Sequence, residues 1–76
     1  MKEGTKLAEK EWVSVWMEET NLVCQSKLSI HIRDNNLNDV FLWVNTRDRI
    51  KLEKIADTIV EKFNTLVPEI TNIINS

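Results

Sequence analysis

The sequence predicts an α+β fold (β-β-β-α), in which a three-stranded antiparallel β-meander precedes a long C-terminal α-helix packed on one sheet face. Three observations support this fold class. The first half of the chain holds three short runs rich in apolar residues, the connections between them are short and rich in Asn and Asp, and the second half has apolar residues at helical spacing. The 76 residues, 1–76, are enough for one domain and leave no room for a second.

The three predicted strands differ in their patterns. The first covers residues 12–17, WVSVWM, which favour a strand because they are aromatic or β-branched. The second covers residues 22–32 and alternates most clearly near its end, whereas the third, residues 40–45, is apolar at five consecutive positions. Between the last two strands, the run RDNNLND at residues 33–39 should form a turn, because Asn and Asp tolerate left-handed backbone angles.

A long amphipathic helix is predicted for the second half. Asn45 or Thr46 should cap its start, with Asp48 in the first turn. Pro68 should kink or divide it by removing one backbone hydrogen bond, although the apolar pattern continues beyond the proline. The apolar positions that recur at helical spacing are Leu52, Ile55, Ala56, Ile59, Val60, Phe63, Leu66, Val67, Ile70 and Ile73.

The N-terminal residues 1–11 have no clear pattern, and we expect a flexible arm, a short helix or an extension of the first strand. They lack the apolar core of a signal peptide, and no run of the chain approaches the roughly 20 apolar residues that cross a bilayer. The single cysteine, Cys24, suggests a reducing compartment. We therefore expect a soluble cytoplasmic protein with no membrane partner. Its composition, rich in Asn, Ile and Lys and poor in Gly and Pro, is common in small accessory proteins of AT-rich bacteria and their phages.

Side chains alternate across a strand, so each predicted strand contributes to two faces. The face toward the helix should hold Val13, Val15, Met17, Leu22, Cys24, Leu28, Ile30, Ile32, Val40, Leu42 and Val44. The other face should hold Trp12, Ser14, Trp16, Lys27, Ser29, His31, Arg33, Phe41, Trp43 and Asn45. All three tryptophans and one of the two phenylalanines thus lie away from the helix. One helix covers only one face of a sheet, so these aromatic residues should form an exposed apolar patch, which is unusual for a monomer.

This patch is the predicted interaction site. Its partner-binding residues are Trp12, Trp16, His31, Arg33, Phe41 and Trp43. The helix of about 22 residues spans roughly 33 Å, longer than a six-residue strand of roughly 20 Å, so its end should overhang. The candidate dimer contacts at this end are Leu66, Ile70 and Ile73. The patch could be covered by residues 2–11, by a second copy, by a different protein or by single-stranded nucleic acid stacked on the aromatic rings.

Catalytic, metal and cofactor sites are not expected. The only glycine is Gly4, which excludes a glycine-rich phosphate loop, and the carboxylates of Glu18, Glu19, Asp34 and Asp39 fall in predicted turns, where they should be solvated. Cys24 and His31 lie on opposite faces of their strand and cannot share a metal ion; Cys24 should be a small core residue. The net charge is −2 with no basic stripe, which makes nucleic acid an unlikely partner. We expect a non-catalytic, self-associating regulator or inhibitor that occludes a partner protein; the alternative is a weak binder of single-stranded nucleic acid.

Overall fold

A computed structural model of the chain describes residues 4–21 and 23–76. These residues form a four-stranded antiparallel sheet in the order β1-β2-β3-β4, followed by one α-helix. The elements are β1 (Thr5–Lys10), β2 (Val13–Glu18), β3 (Ser26–Ile32), β4 (Val40–Val44) and α1 (Arg49–Ile74). The α+β class, the antiparallel meander and the long C-terminal helix are confirmed, but the predicted number of strands is wrong.

The additional strand is β1, where the sequence suggests a flexible arm, a short helix or an extension of the following strand. It pairs with β2, and its register shifts between Lys6 and Ala8. Because of this irregularity the neighbouring Leu7 and Ala8 both pack against the core, which a regular alternating strand does not allow. A two-residue turn connects β1 to β2, and its first residue, Glu11, has a positive φ of 49°.

The start of α1 is fixed by Asp48. Its carboxylate accepts hydrogen bonds from the backbone N–H groups of Ile50 (2.9 Å) and Lys51 (3.3 Å), which have no partner within the helix. Asp48 is therefore the cap in place of Asn45 or Thr46. The Thr46 hydroxyl instead accepts a hydrogen bond from the backbone of Asp48 at 3.1 Å. The helix then continues through Pro68 without the predicted division.

The core lies between α1 and one face of the sheet, which we call the inner face. The predicted alternation is confirmed in β2 and β3, whose inner residues are buried or, at Met17 and Ile32, partly buried against the core. The buried apolar residues are Val13, Val15, Leu28, Ile30, Leu52, Ala56, Ile59, Val60 and Val67. Each of them belongs to the set predicted to lie between helix and sheet.

In β4 the prediction holds for Val44, which packs against the core, but fails for the other two inner residues, because α1 lies over β1 and β2. Val40 and Leu42 of β4, predicted as core residues, are each 40% exposed. Since β1 adds a strand at one side of the sheet, α1 packs toward that side and leaves β4 uncovered at the other. Cys24 is also exposed, because β3 begins only at Ser26. Leu22, another predicted core residue, lies outside the described residues.

Asn64 joins α1 to the turn between β1 and β2. Its side-chain amide donates hydrogen bonds to the backbone carbonyls of Lys10 (2.8 Å) and Val60 (2.7 Å). Its side-chain oxygen accepts a hydrogen bond from the backbone N–H of Trp12 at 3.0 Å. The contacts with Lys10 and Trp12 give hydrogen-bond partners to backbone groups at the turn, and they fix the helix relative to the first two strands.

Candidate protein-interaction surface

The sheet face opposite α1, which we call the outer face, is formed by rows of residues that are paired across the strands, and one of them joins Glu9, Ser14 and His31. Two further rows hold the aromatic residues. The first row is Lys6, Trp16, Ser29 and Phe41, one residue from each strand in order. The second row is Glu18, Lys27 and Trp43. The structure therefore brings Trp16, Phe41 and Trp43 to one face, as the alternation predicts.

Trp16 is held by its neighbours on this face. Its indole N–H donates a hydrogen bond to the Ser14 hydroxyl at 3.1 Å. The ring meets that of His31 edge to face, with centroids 6.1 Å apart, and the Lys6 ammonium lies 5.7 Å from its centroid. These polar and cation–π contacts stabilise one orientation of a half-buried side chain. Trp16 therefore supports the outer face more than it offers a free surface to a partner.

His31 links a serine and an aspartate. Its Nε2 lies 3.3 Å from the Ser29 hydroxyl, and its Nδ1 lies 2.9 Å from a carboxylate oxygen of Asp39. The order Ser-His-Asp resembles that of hydrolases, but Ser29 is only 2% exposed and lies between Trp16 and Phe41. Because β3 is paired on both sides, its backbone N–H groups are engaged in the sheet and do not form an oxyanion hole.

The hydrogen-bonded trio therefore serves the structure. Asp39 also accepts a hydrogen bond from the backbone N–H of Ile32 at 3.3 Å, so its carboxylate fixes the approach to β4. Because a carboxylate only accepts hydrogen bonds, Nδ1 of His31 carries the proton that faces it. His31, predicted to bind a partner, is engaged within the chain.

The cations near the outer face are paired with carboxylates. Glu9 contacts Lys6 at 2.6 Å and Arg33 at 2.9 Å, and Lys27 lies 3.5 Å from Glu18. The hydrogen bond and the positive charge of Lys6, assisted by Arg33, lower the pKa of the Glu9 carboxyl from its ordinary value. These pairs leave little excess positive charge to attract a phosphate backbone.

Trp12 lies apart from the other aromatic residues of the predicted patch. It occupies the turn before β2, where Glu11, Trp12 and Arg33 line an open depression of about 460 Å³. The backbone N–H of Arg33 donates a hydrogen bond to the carbonyl of Trp12. Trp43 is paired with Lys27, which precedes Arg33 by six residues along β3 and its extension. At about 3.3 Å per residue, roughly 20 Å separates the two positions. The predicted patch is thus divided.

Strand β4 is exposed on both of its faces. Phe41 and Trp43 on the outer face are 53% and 47% exposed, and Val40 and Leu42 on the inner face are 40% exposed. The Lys27 ammonium lies 4.5 Å from the Phe41 ring centroid and 5.8 Å from that of Trp43. As the last strand in the sheet order, β4 also has one unpaired backbone edge. The sequence signal for this exposure is that β4 has apolar residues at the positions facing each side of the sheet.

The end of α1 forms a second apolar feature. A groove of about 270 Å³ lies between this end and the start of β4, and Val40, Leu66 and Ile70 contribute to its lining. Leu66 is 43% exposed and Ile73, which does not line the groove, is 73% exposed. Two of the three candidate dimer contacts thus lie beside β4, and the third extends into solvent.

The described residues contain no group of three His, Cys, Asp or Glu side chains placed to hold a metal ion. Helix α1, despite its length, is too polar to cross a membrane. No protein-family model, curated protein or solved structure shows a significant match to this chain. The geometry of the molecule is therefore the basis for inferring what it binds.

Proposed function

We propose that this chain is a non-catalytic protein-interaction module that binds through β4. The observation that carries the proposal is an edge strand with large apolar side chains exposed on both faces. An unpaired edge offers backbone hydrogen bonds to an incoming strand, while exposed apolar side chains bind by leaving water. A small regulator or inhibitor that occludes a partner protein's surface is the biological role that such a module fits.

The aromatic side chains of β4 supply most of the apolar area for binding. Phe41 and Trp43 are adjacent on the outer face, and each exposes about half of its surface. Aromatic residues, with few rotatable bonds and large apolar area, are enriched among residues that dominate binding energy. The nearby Lys27 holds its ammonium over both rings, so it favours an apolar or acidic contact over a basic one.

The test is affinity capture from the native host with three tagged proteins, the wild type and two variants. Phe41→Ser with Trp43→Ser should lose the protein partners that the wild type retains, additional copies of the chain included. Trp12→Ser is the matched control, because Trp12 is 44% exposed but lies in the distant turn. Circular dichroism establishes that each variant is folded. Retention of the same partners by the double variant would show that β4 does not bind them.

The alternative, a weak binder of single-stranded nucleic acid, has less support. Stacked bases need free ring faces and a positive groove. The Lys27 ammonium already occupies a position over Phe41 and Trp43, and that lysine is paired with Glu18. Titration with an oligonucleotide at low salt should accordingly leave tryptophan fluorescence unchanged. Quenching that weakens as salt rises would support the alternative.

A further inference from the structure

We propose that the partner of β4 is the β4 strand of a second copy, paired antiparallel about a two-fold axis at Leu42. The two four-stranded sheets then form one continuous sheet. This inference rests on the proposed function, because it names the occupant of the same strand. It is carried by two independent observations, the contrast between the two sheet edges and the symmetry of the β4 sequence.

The two edges of the sheet differ in several features that hinder pairing with another chain. Charged side chains, irregular register and a covering element protect edge strands from such contacts. Edge strand β1 has Lys6, Glu9 and Lys10, a register shift, and α1 packed over it. Edge strand β4, Val40–Val44, has no charged residue, no proline and an unbroken register with β3. Pairing with another chain is therefore hindered at β1 and not at β4.

The sequence of β4 is symmetric in its chemistry. From either end it reads valine, aromatic residue, leucine, aromatic residue, valine. Directly opposed residues in an antiparallel pair point to the same face of the sheet. A two-fold axis perpendicular to the sheet must therefore pass between one residue and the same residue of the second copy. Placing it at Leu42 sets Val40 opposite Val44 of the second copy and Phe41 opposite Trp43 of the second copy. This pairing sets chemically similar apolar residues opposite each other along the whole of β4, a match that binding to an unrelated strand does not call for.

Both faces gain from this pairing. On the outer face, the two Phe41 rings and the two Trp43 rings form one cluster, and in each copy Lys27 lies beside that copy's own two rings. On the inner face, Val40 and Leu42 of both copies meet in the region that α1 leaves uncovered. The next pair outward is Asp39 with Asn45, so no like charges oppose each other at the ends of the paired segment.

The size of this contact predicts a reversible dimer. An aromatic side chain has on the order of 200 Å² to bury, so the exposed halves of Phe41 and Trp43 contribute about 200 Å² per copy. With the aliphatic side chains and backbone edge added, the total stays below the roughly 1,200 Å² of standard stable interfaces. The dimer should therefore form at concentrations on the order of 100 μM and dissociate on dilution.

Disulfide trapping tests the pairing and its register. The exposed Cys24 is first replaced with serine, so that the introduced cysteine is the only thiol. Leu42→Cys places two thiols across the axis, with Cβ atoms about 4.5–5.5 Å apart, close to the separation a disulfide needs. Val44→Cys is the matched control, because four residues, or roughly 13 Å, separate its two thiols along the paired strands.

Mild oxidation should convert Leu42→Cys to a covalent dimer and leave Val44→Cys monomeric. A mixture of Val40→Cys and Val44→Cys should yield the mixed dimer, because these positions lie opposite each other. Equal cross-linking of Leu42→Cys and Val44→Cys, or none of either, overturns the inference. In that case the proposed function can still hold, because host partners lost on changing Phe41 and Trp43 would identify a different protein on β4. Partners retained by that double variant would refute the proposed function itself.

Discussion

Replacing Asn64 with alanine tests how α1 is fixed to the sheet. The side chain forms two hydrogen bonds with the turn between β1 and β2, to the carbonyl of Lys10 at 2.8 Å and from the N–H of Trp12 at 3.0 Å. These bonds join residues 54 and 52 positions apart, so they report tertiary structure and not helix formation alone.

The cost of this replacement follows mainly from the two lost bonds to the turn, because the third acceptor, the Val60 carbonyl, lies within the helix. Each contributes about 0.5–1.5 kcal/mol net, or about 1–3 kcal/mol together. Alanine favours a helix over asparagine by up to about 0.7 kcal/mol, which offsets part of the loss. We expect Asn64→Ala to lower the free energy of unfolding by about 1–2 kcal/mol. For 76 residues the total is about 4–11 kcal/mol, so the change is readily measurable.

Urea denaturation followed by circular dichroism, at one fixed protein concentration, measures this change. Asn72→Ala is the matched control, because Asn72 is exposed on the same helix. It gains the same helix propensity and loses no bond to the turn, so it should be neutral or slightly stabilising. Equal shifts in Asn64→Ala and Asn72→Ala would refute the role assigned to Asn64 in holding α1 against the turn.

Three further predictions concern the turn, the ion pairs and the buried serine. Glu11→Gly should raise the free energy of unfolding by up to about 1 kcal/mol, because Glu11 has a φ of 49°, which glycine adopts without strain; a lower urea midpoint would contradict this. Lys6 lowers the pKa of Glu9, so the ionised carboxylate stabilises the fold above its unfolded pKa, and this contribution is lost as pH falls through the lowered folded pKa. Wild type and Glu9→Gln should therefore differ in urea midpoint at neutral pH and converge in acid, whereas a difference that persists in acid would argue against the ion pair. A fluorophosphonate probe should leave Ser29 unmodified, because its hydroxyl is buried; mass-spectrometric detection of a Ser29 adduct would indicate a reactive nucleophile.

The sequence predicts the inner face of β2 and β3 well, because strict alternation leaves one choice of side for Val13, Val15, Leu28 and Ile30. It does not predict β1, since Leu7 and Ala8 are its only apolar residues and the strand forms through pairing with β2. Because the sequence does not predict β1, it also gives the wrong burial for two residues of β4 at the opposite edge of the sheet. A three-stranded sheet under α1 would bury Val40 and Leu42, but the fourth strand draws the helix away from them.

The candidate site is predicted in part for a similar reason. Alternation assigns Trp16, Phe41 and Trp43 to the correct face, because it depends only on neighbours in sequence. It cannot show that His31 is held by Asp39, a residue from the following connection, or that Trp12 lies in the turn at the end of the sheet. These outcomes depend on contacts between separate segments. The exposure of the inner side of β4 likewise depends on the position of α1, which alternation along one strand does not determine.

If β4 is the binding edge of this chain and takes a second copy, sedimentation equilibrium should detect the dimer and its dependence on Leu42. Leu42→Lys places a charge at the centre of the edge, while Ile50→Lys changes an apolar residue that is 67% exposed on α1. As concentration rises to the order of 100 μM, wild type and Ile50→Lys should approach twice the monomer mass, and Leu42→Lys should remain a monomer. A wild type that stays monomeric, or a Leu42→Lys variant that dimerises as the wild type does, would contradict the claim.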